Sequence, residues 1–178
     1  MGHAQYDTDG FDQAAASRPR ERVAVKGCIF KDGRMLFLFK PDAARRLSIA
    51  PDLEEDLPGG CVEAGESWQE ALVREVREET GLTLTHWRYC GIVTFVLADW
   101  TEYMHLFCAD GFEGTLRECD EGVLEWIDKS ALRALPMWEG DKIFLDLMQA
   151  HRPFFSLKLV YDEADVLRAA VLDGKPLF

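Results

Sequence analysis

The chain has 178 residues, of which 48% are apolar and 29% are charged, and its formal net charge is −12. This length fits one domain with a sizeable core, and the acidic balance argues against a nucleic-acid surface or an anionic membrane as partner. A small anionic substrate stays compatible with this charge, because bound divalent cations invert the local field. Five cysteines without C-x-x-C spacing indicate neither a zinc site nor a disulfide framework.

A tail, two strands and a long connection are predicted before the first informative motif. Residues 1–20 are polar and lack a steady period, so they are predicted to form a loose tail ahead of a domain spanning 21–178. Within that domain, the apolar runs at 22–30 and 35–39 predict two strands around a Lys-Asp-Gly-Arg turn. The long connection at 41–58 is rich in proline and charge, and its length predicts a functional loop.

A capped helix is predicted next. Ser67 with Glu70 three residues later forms a capping box, so the helix should begin at Trp68, and Gly81 is a natural C-terminal stop. The remaining pattern predicts, in order, a strand hairpin at 84–96 and 102–109, a strand at 123–127, a helical turn at 129–135, a helix at 141–151, and a closing hairpin at 154–161 and 166–172. The last of these segments also has the residue composition of a helix.

Three carboxylates mark the end of the predicted helix. Glu75, Glu78 and Glu79 stand at i, i+3 and i+4, which places them on one face. The helical wheel puts the apolar residues on the same side, namely Trp68, Ala71, Leu72 and Val76. Oxygen ligands of this kind suit Mg²⁺ or Mn²⁺, and Arg74 can orient a carboxylate. The alternative interpretation is a solvated acidic face with i,i+4 pairs.

The stretch from Gly60 to Leu82 resembles the Nudix box, G-x5-E-x7-R-E-U-x-E-E-x-G-U, at every fixed position. The resemblance implies an α/β fold, a Nudix α/β/α sandwich in which helices flank a mixed β-sheet. It also implies hydrolysis of a nucleoside diphosphate linked to another group, with Glu75, Glu78 and Glu79 as metal ligands and one glutamate doubling as base. The carbonyl of Gly59 or Gly60 and an extra acid complete the implied set. Glu121 is the candidate for this acid, with Asp120 and Glu125 as competitors and a solvated turn acid as the alternative interpretation of Glu121. Glu66 is expected to stabilise the junction between loop and helix.

A looser resemblance covers most of the chain from Val25 onward. The segments MHLFCADGFEGT, LPMWEGD and RPFFSLKLVYD are similar to the MutT-type branch that hydrolyses oxidised purine nucleoside triphosphates. It implies that Trp138 stacks on the purine and that Asp141 hydrogen-bonds the base. The alternatives are core packing for Trp138 and helix capping for Asp141. Asp56 stands where the branch places an asparagine, and Lys40 matches a lysine on the substrate side.

These features predict an Mg²⁺-dependent pyrophosphohydrolase that cleaves (oxidised) purine nucleoside triphosphates to nucleoside monophosphate and pyrophosphate. Mn²⁺ is a second possible cofactor. A nucleotide is the expected partner and no membrane partner is expected, while the net charge argues against nucleic acid. The protein is expected to be a cytoplasmic monomer or homodimer. One alternative is another nucleoside diphosphate derivative as substrate, such as ADP-ribose, a nucleoside diphosphate sugar or a dinucleoside polyphosphate. The other is a non-catalytic nucleotide-binding module.

Overall fold

The computed structural model of the chain describes residues 20–40, 54–120 and 122–178, without the side chains of residues 40, 54 and 55. Its elements in chain order are β1 (Arg20–Lys31), β2 (Arg34–Lys40), β3 (Glu54–Asp56), α1 (Trp68–Thr80), β4 (Thr83–Leu97), β5 (Trp100–Glu113), β6 (Val123–Asp128), a 3-10 helix (Lys129–Ala134), α2 (Glu139–Gln149), β7 (Phe155–Tyr161), β8 (Leu167–Leu172) and β9 (Lys175–Pro176). The predicted tail, apart from Arg20, lies outside the described residues.

Most predicted elements are confirmed, among them the closing hairpin, with three differences, of which one is the short strand β9 that was not predicted. Strand β3 lies within the connection that was predicted as a loop, and α2 begins two residues before the predicted helix. Residues 166–172, for which a helix was an alternative, contain strand β8. This strand pairs antiparallel with β7, for example Ala170 with Leu159, so ladder hydrogen bonds to a distant segment override the local helical propensity.

The strands form a mixed sheet in the order β3-β2-β1-β5-β4-β7-β8-β9, with β6 on the other edge of β2. β1 runs parallel to β5, and β4 runs antiparallel to β5 and parallel to β7. The β1–β2 hairpin pairs only at its tip, where Phe30 faces Met35 and Lys31 faces Arg34. Beyond the tip the two strands diverge, and the opening between them is where the candidate site is built.

Alternate residues of β1 serve two separate cores, because successive side chains of a strand point to opposite faces. Val25 and Ile29 pack with Ala71, Leu72 and Val76 of α1. Cys28 on the opposite face belongs to a second core, whose α2 members are Phe144, Leu145 and Met148. The sheet is therefore sandwiched between α1 and α2, which confirms the predicted α/β/α architecture.

Helix α1 has the predicted boundaries. Ser67 accepts the backbone N–H of Glu70, the Glu70 side chain accepts the N–H of Ser67, and Gly81 ends the helix at φ +78°. Trp68 lies on the predicted side of the helix, where its ring packs on the sheet, but it is 43% exposed. Its ring stacks on His105 of β5 at a centroid distance of 3.7 Å, which leaves the other face of the indole toward solvent. As the first helical residue, Trp68 lies at the rim of the core.

None of the helices in the described ranges is long and apolar enough to cross a membrane. The two α-helices have 13 and 11 residues, and each uses its apolar residues against the sheet.

Candidate functional site

The segment that follows β3 crosses the opening between β2 and β1. β3 pairs with the far half of β2, Leu38 opposite Asp56, and the chain then runs along β1. There the N–H of Gly27 donates to the Pro58 carbonyl at 2.8 Å, and the N–H of Val25 donates to the Gly60 carbonyl at 2.9 Å. The segment is therefore held by backbone hydrogen bonds on both sides, which makes it a rigid base for the residues around it.

Gly59 is the tightest point of this crossing. Its φ is +148°, and a Cβ atom there would lie 2.0 Å from the Val25 carbonyl oxygen, so only glycine fits. The close approach also turns the Gly59 N–H toward α1, where it donates to the Glu79 carboxylate at 2.8 Å. The glycine turn and the acidic end of the helix are thus joined directly.

The three glutamates of α1 occupy different environments. Glu79 is buried at 7% exposure, whereas the Glu78 side chain is 62% exposed. Glu75 lies between these extremes and abuts Gly60, where an added Cβ would fall 2.6 Å from its carboxylate carbon. The predicted overlap of the acidic and apolar faces therefore holds for Glu79 and in part for Glu75, while Glu78 faces solvent.

Arg74 organises the carboxylates around it. Its guanidinium donates two hydrogen bonds to Glu66, at 2.8 and 2.9 Å, and others to Glu75 at 2.7 Å and to Glu78 at 3.4 Å. The hydrogen bond from Arg74 lowers the pKa of Glu66, and the same pair raises the pKa of Arg74. Glu66 also accepts the N–H of Glu63, so it braces the loop before the helix, as the sequence indicated.

The donor chemistry around Gly60 fits a hard divalent cation. Carboxylate oxygens of Glu75, Glu78 and Glu79 lie on one helix, and the Gly60 carbonyl keeps a second lone pair beyond its bond to Val25. Within the described ranges, no three acidic, histidine or cysteine side chains converge closely enough to hold a metal ion. Arg74 forms ion pairs with both Glu75 and Glu78, and the Glu78 side chain is exposed to solvent.

A cavity of about 200 Å³ lies on the opposite face of β1, between the strands and the start of α2. It brings together Asp56, Trp138 and Asp141, three of the four residues predicted to bind substrate, from segments more than 80 positions apart. Its other lining residues are Arg22, Lys26, Phe95, Leu97, Trp100, Glu102 and Met104. Aromatic walls and charged groups together suit a heteroaromatic ring with hydrogen-bonding edges.

Trp138 is held in place by two aromatic neighbours. Its ring makes edge contacts with Phe95, at a centroid distance of 5.6 Å, and with Tyr161 at 4.7 Å. Burial raises the pKa of Tyr161, whose hydroxyl accepts the N–H of Gly140 at 2.8 Å. The alternative of a capping Asp141 is wrong, because Trp138 is the cap residue and Asp141 lies in the first turn.

Comparison with known proteins identifies the family of this chain. A family model described as the NUDIX domain matches residues 20–148. The chain belongs to the Nudix family. The Nudix hydrolase YvcI of Bacillus subtilis (strain 168) is 35% identical over 131 residues, 70% of this chain and 77% of that protein. The oxidized purine nucleoside triphosphate hydrolase of Danio rerio is 36% identical over 98 residues, 54% of this chain and 63% of that protein.

Among solved structures, the MutT protein of Bacillus halodurans superposes with a TM-score of 0.76 and 28% identity, covering 87% of this chain and 99% of that one. The Nudix fold and its MutT-like form are thereby established for this chain. The protein is a Nudix hydrolase, an enzyme acting on phosphoanhydride bonds, and the crossing segment with α1 is its Nudix box.

Three charged residues that line the cavity of about 200 Å³ were missed from sequence, namely Arg22, Lys26 and Glu102, and Lys26 is the one that contacts a predicted site residue. Lys26 donates to Asp56 Oδ1 at 2.5 Å, and its side chain is only 13% exposed. The signal was available, because Lys26 interrupts an otherwise apolar strand, RVAVKGCIF. The side chain of Lys40, which was predicted to supply a cation, lies outside the described residues. Glu121 does as well, so its role as an extra acid stays a prediction.

Replacing Gly60 by Ala is expected to lower kcat for phosphoanhydride hydrolysis about tenfold, because the added methyl group displaces the Glu75 carboxylate. Thermal unfolding should change little, since the group that must move is the end of a flexible side chain. The matched control is Cys61→Ala at the exposed neighbouring position. Equal kcat values for both variants would show that the position of Glu75 does not matter.

Proposed function

We propose that this Nudix hydrolase is an Mg²⁺-dependent pyrophosphohydrolase that converts purine nucleoside triphosphates, including oxidised ones, to nucleoside monophosphate and pyrophosphate. The observation that carries the proposal is the cavity that unites Trp138, Asp141 and Asp56, the last of which precedes Gly59 by three residues. Stacking on tryptophan and hydrogen bonds to carboxylates are the interactions that hold a base. The likeness to the Danio rerio oxidized purine nucleoside triphosphate hydrolase supports the same substrate class.

The chain connects the base cavity to the glutamates over a short distance. Asp56 lines the cavity, and Gly59 follows three residues later, which corresponds to at most about 11 Å of extended chain. A nucleotide with its base against Trp138 therefore has room to direct its sugar and phosphates along this segment. Its phosphates would then lie beside Gly60 and the carboxylates of α1.

The carboxylates and glycines of the site, together with Arg74, have separate tasks in this proposal. Glu75, Glu78, Glu79 and the Gly59 or Gly60 carbonyl are the ligands for Mg²⁺, or for Mn²⁺, with Glu121 as a further ligand. The ion supplies neutralisation of the phosphates and a lower pKa for the attacking water. Gly59 fixes the Glu79 carboxylate through its N–H, and Arg74 fixes Glu75. A glutamate among Glu75, Glu78 and Glu121 accepts the proton of the attacking water.

The proposal is tested by steady-state hydrolysis with Mg²⁺ of a panel comprising dGTP, 8-oxo-dGTP, 2-oxo-dATP, dCTP, ADP-ribose and a dinucleoside polyphosphate. Specificity is the ratio of kcat/KM values, so each substrate needs its own full titration. We expect the purine triphosphates, oxidised or not, to exceed ADP-ribose and the dinucleoside at least about tenfold. Product analysis should show nucleoside monophosphate and pyrophosphate.

A higher kcat/KM for ADP-ribose or the dinucleoside polyphosphate than for the purine triphosphates would contradict the proposed substrate. No turnover of any compound, in a sample whose Tm rises on adding dGTP and Mg²⁺, would indicate a binding module instead. The two failures are distinguishable because only the second retains nucleotide binding without products.

A further inference from the structure

The inner end of the base cavity carries three charged side chains. Lys26, Asp56 and Asp141 line both the main cavity of about 200 Å³ and a smaller space of about 60 Å³ behind it. The remaining lining of the smaller space is apolar, with Phe37, Leu57, Met104, Met137, Phe144 and Leu145. A base that enters with its polar edge first therefore meets one cation and two carboxylates, with little else to bind.

The positions of Lys26 and Asp56 are fixed by several hydrogen bonds. The Lys26 ammonium donates to Asp56 Oδ1 at 2.5 Å and to the Leu57 carbonyl at 3.4 Å. Asp56 Oδ1 also accepts the N–H of Leu57 at 2.7 Å. Two of the three ammonium hydrogens are thus engaged within the protein, which leaves one donor to offer to a ligand.

The second ion pair of the cavity differs from this one. Arg22 donates to Glu102 at 2.5 Å near Trp100, four residues from Lys26 on the same face of β1. Neither Arg22 nor Glu102 lines the smaller inner space. The residues that read the edge of a base are therefore those of the inner end, and Lys26 is the cation among them.

Each charged group at this inner end has a fixed role in hydrogen bonding. An ammonium group can only donate, and ionised carboxylates can only accept. The matching edge carries a carbonyl oxygen for Lys26 and adjacent N–H groups for a carboxylate. Guanine has this edge, with O6 as acceptor and protonated N1 and N2 beside it. A 6-aminopurine presents an amino donor to the ammonium and an unprotonated N1 to the carboxylate, so it is mismatched at both points.

We propose that Lys26 is a specificity-determining residue that selects 6-oxopurine nucleoside triphosphates over 6-aminopurine ones. The inference rests on the proposed function, and it adds a residue and a base class to it. Asp56 holds the ammonium in place, and a carboxylate of the pair Asp56 and Asp141 accepts from N1 and N2. An aspartate at position 56 is then suited to its task, because it positions a lysine in addition to contacting the base.

The decisive comparison uses dGTP and the triphosphate of 2,6-diaminopurine deoxyriboside, which differ only at position six and in the proton on N1. For the wild-type enzyme we expect kcat/KM for dGTP to be at least about tenfold higher, as is typical when buried polar groups of a site are left unpaired. This measurement needs no variant, so it does not depend on whether a substituted protein folds.

Lys26→Met then tests the residue itself, because it keeps the length and apolar stem and removes the donors. The ratio of kcat/KM for dGTP to kcat/KM for the diaminopurine triphosphate should fall about tenfold, mainly through a higher KM for dGTP. Lys158→Met, at an exposed position on β7, is the matched control and should keep both the wild-type ratio and the wild-type rates.

The outcomes separate this inference from the proposed function. Hydrolysis of both triphosphates at equal kcat/KM, or a ratio that survives in a folded Lys26→Met enzyme, overturns the role of Lys26 and leaves the pyrophosphohydrolase intact. No hydrolysis of any nucleoside triphosphate by the wild type overturns both. A kcat/KM ratio that falls in Lys26→Met but not in Lys158→Met supports the assignment.

Discussion

Replacing Glu79 by Gln is expected to lower kcat with Mg²⁺ at least about 100-fold while the protein stays folded. Glu79 is buried at 7% exposure, and its carboxylate accepts the Gly59 N–H at 2.8 Å. The amide oxygen of glutamine can accept the same hydrogen bond, so the turn is retained. The negative charge that would hold a divalent cation is lost, and so is the like-charge repulsion within the acidic face.

The measurement for this variant combines activity with metal binding. Glu163→Gln, in the exposed turn between β7 and β8, is the matched control and should keep the wild-type rate. Addition of Mg²⁺ should raise the Tm of the wild type and of Glu163→Gln more than that of Glu79→Gln, because binding to the folded state stabilises it. If Glu79→Gln kept the wild-type kcat, the assignment of Glu79 as a metal ligand would be wrong.

Replacing Trp138 by Ala is expected to lower kcat/KM for purine nucleoside triphosphates about 10- to 100-fold. Stacking of a base on an aromatic ring contributes roughly 1–3 kcal/mol, and this loss should appear mainly in KM. Trp138 also contacts Phe95 and Tyr161, so the Tm should fall as well. Trp138→Phe retains an aromatic face and should recover most of the lost kcat/KM.

A substrate without a base separates the two effects of Trp138. Deoxyribose triphosphate lacking the purine should be hydrolysed at similar kcat/KM by the wild type and by a folded Trp138→Ala enzyme, because neither protein can gain from stacking. An equal loss for the abasic and the purine substrates would mean that Trp138 acts only through the fold.

Local sequence patterns were sufficient for the elements around the box. The capping box at Ser67 and the glycine at position 81 predicted both ends of α1, because these signals depend on backbone groups within a few residues. The hairpin between β4 and β5 was predicted for the same reason, although its strands extend beyond the predicted 84–96 and 102–109. The spacing of Glu75, Glu78 and Glu79 likewise followed from helical geometry alone.

Long-range pairing limited the prediction elsewhere. Strand β3 has only three residues and exists because the far half of β2 offers it partners, which no local pattern reveals. Residues 167–172 were correctly predicted as a strand, but their composition left a helix as an alternative, and pairing with β7 decides between the two. The exposure of Trp68 depends on where the end of α1 meets β5, which is a property of packing.

The sequence by itself determined the Nudix box, the carboxylate-bearing helix and the α/β class, since these features depend on contiguous residues with regular periods. The family resemblance identified Asp56, Trp138 and Asp141 as separate candidate residues and did not place them together. Only the tertiary structure placed those three in one cavity and put Lys26 among them, because the contacts join β1, β3 and α2 across more than 100 positions. The chemistry at the inner end of that cavity is decided by side chains that become neighbours only when β1 and β2 diverge and the chain crosses between them.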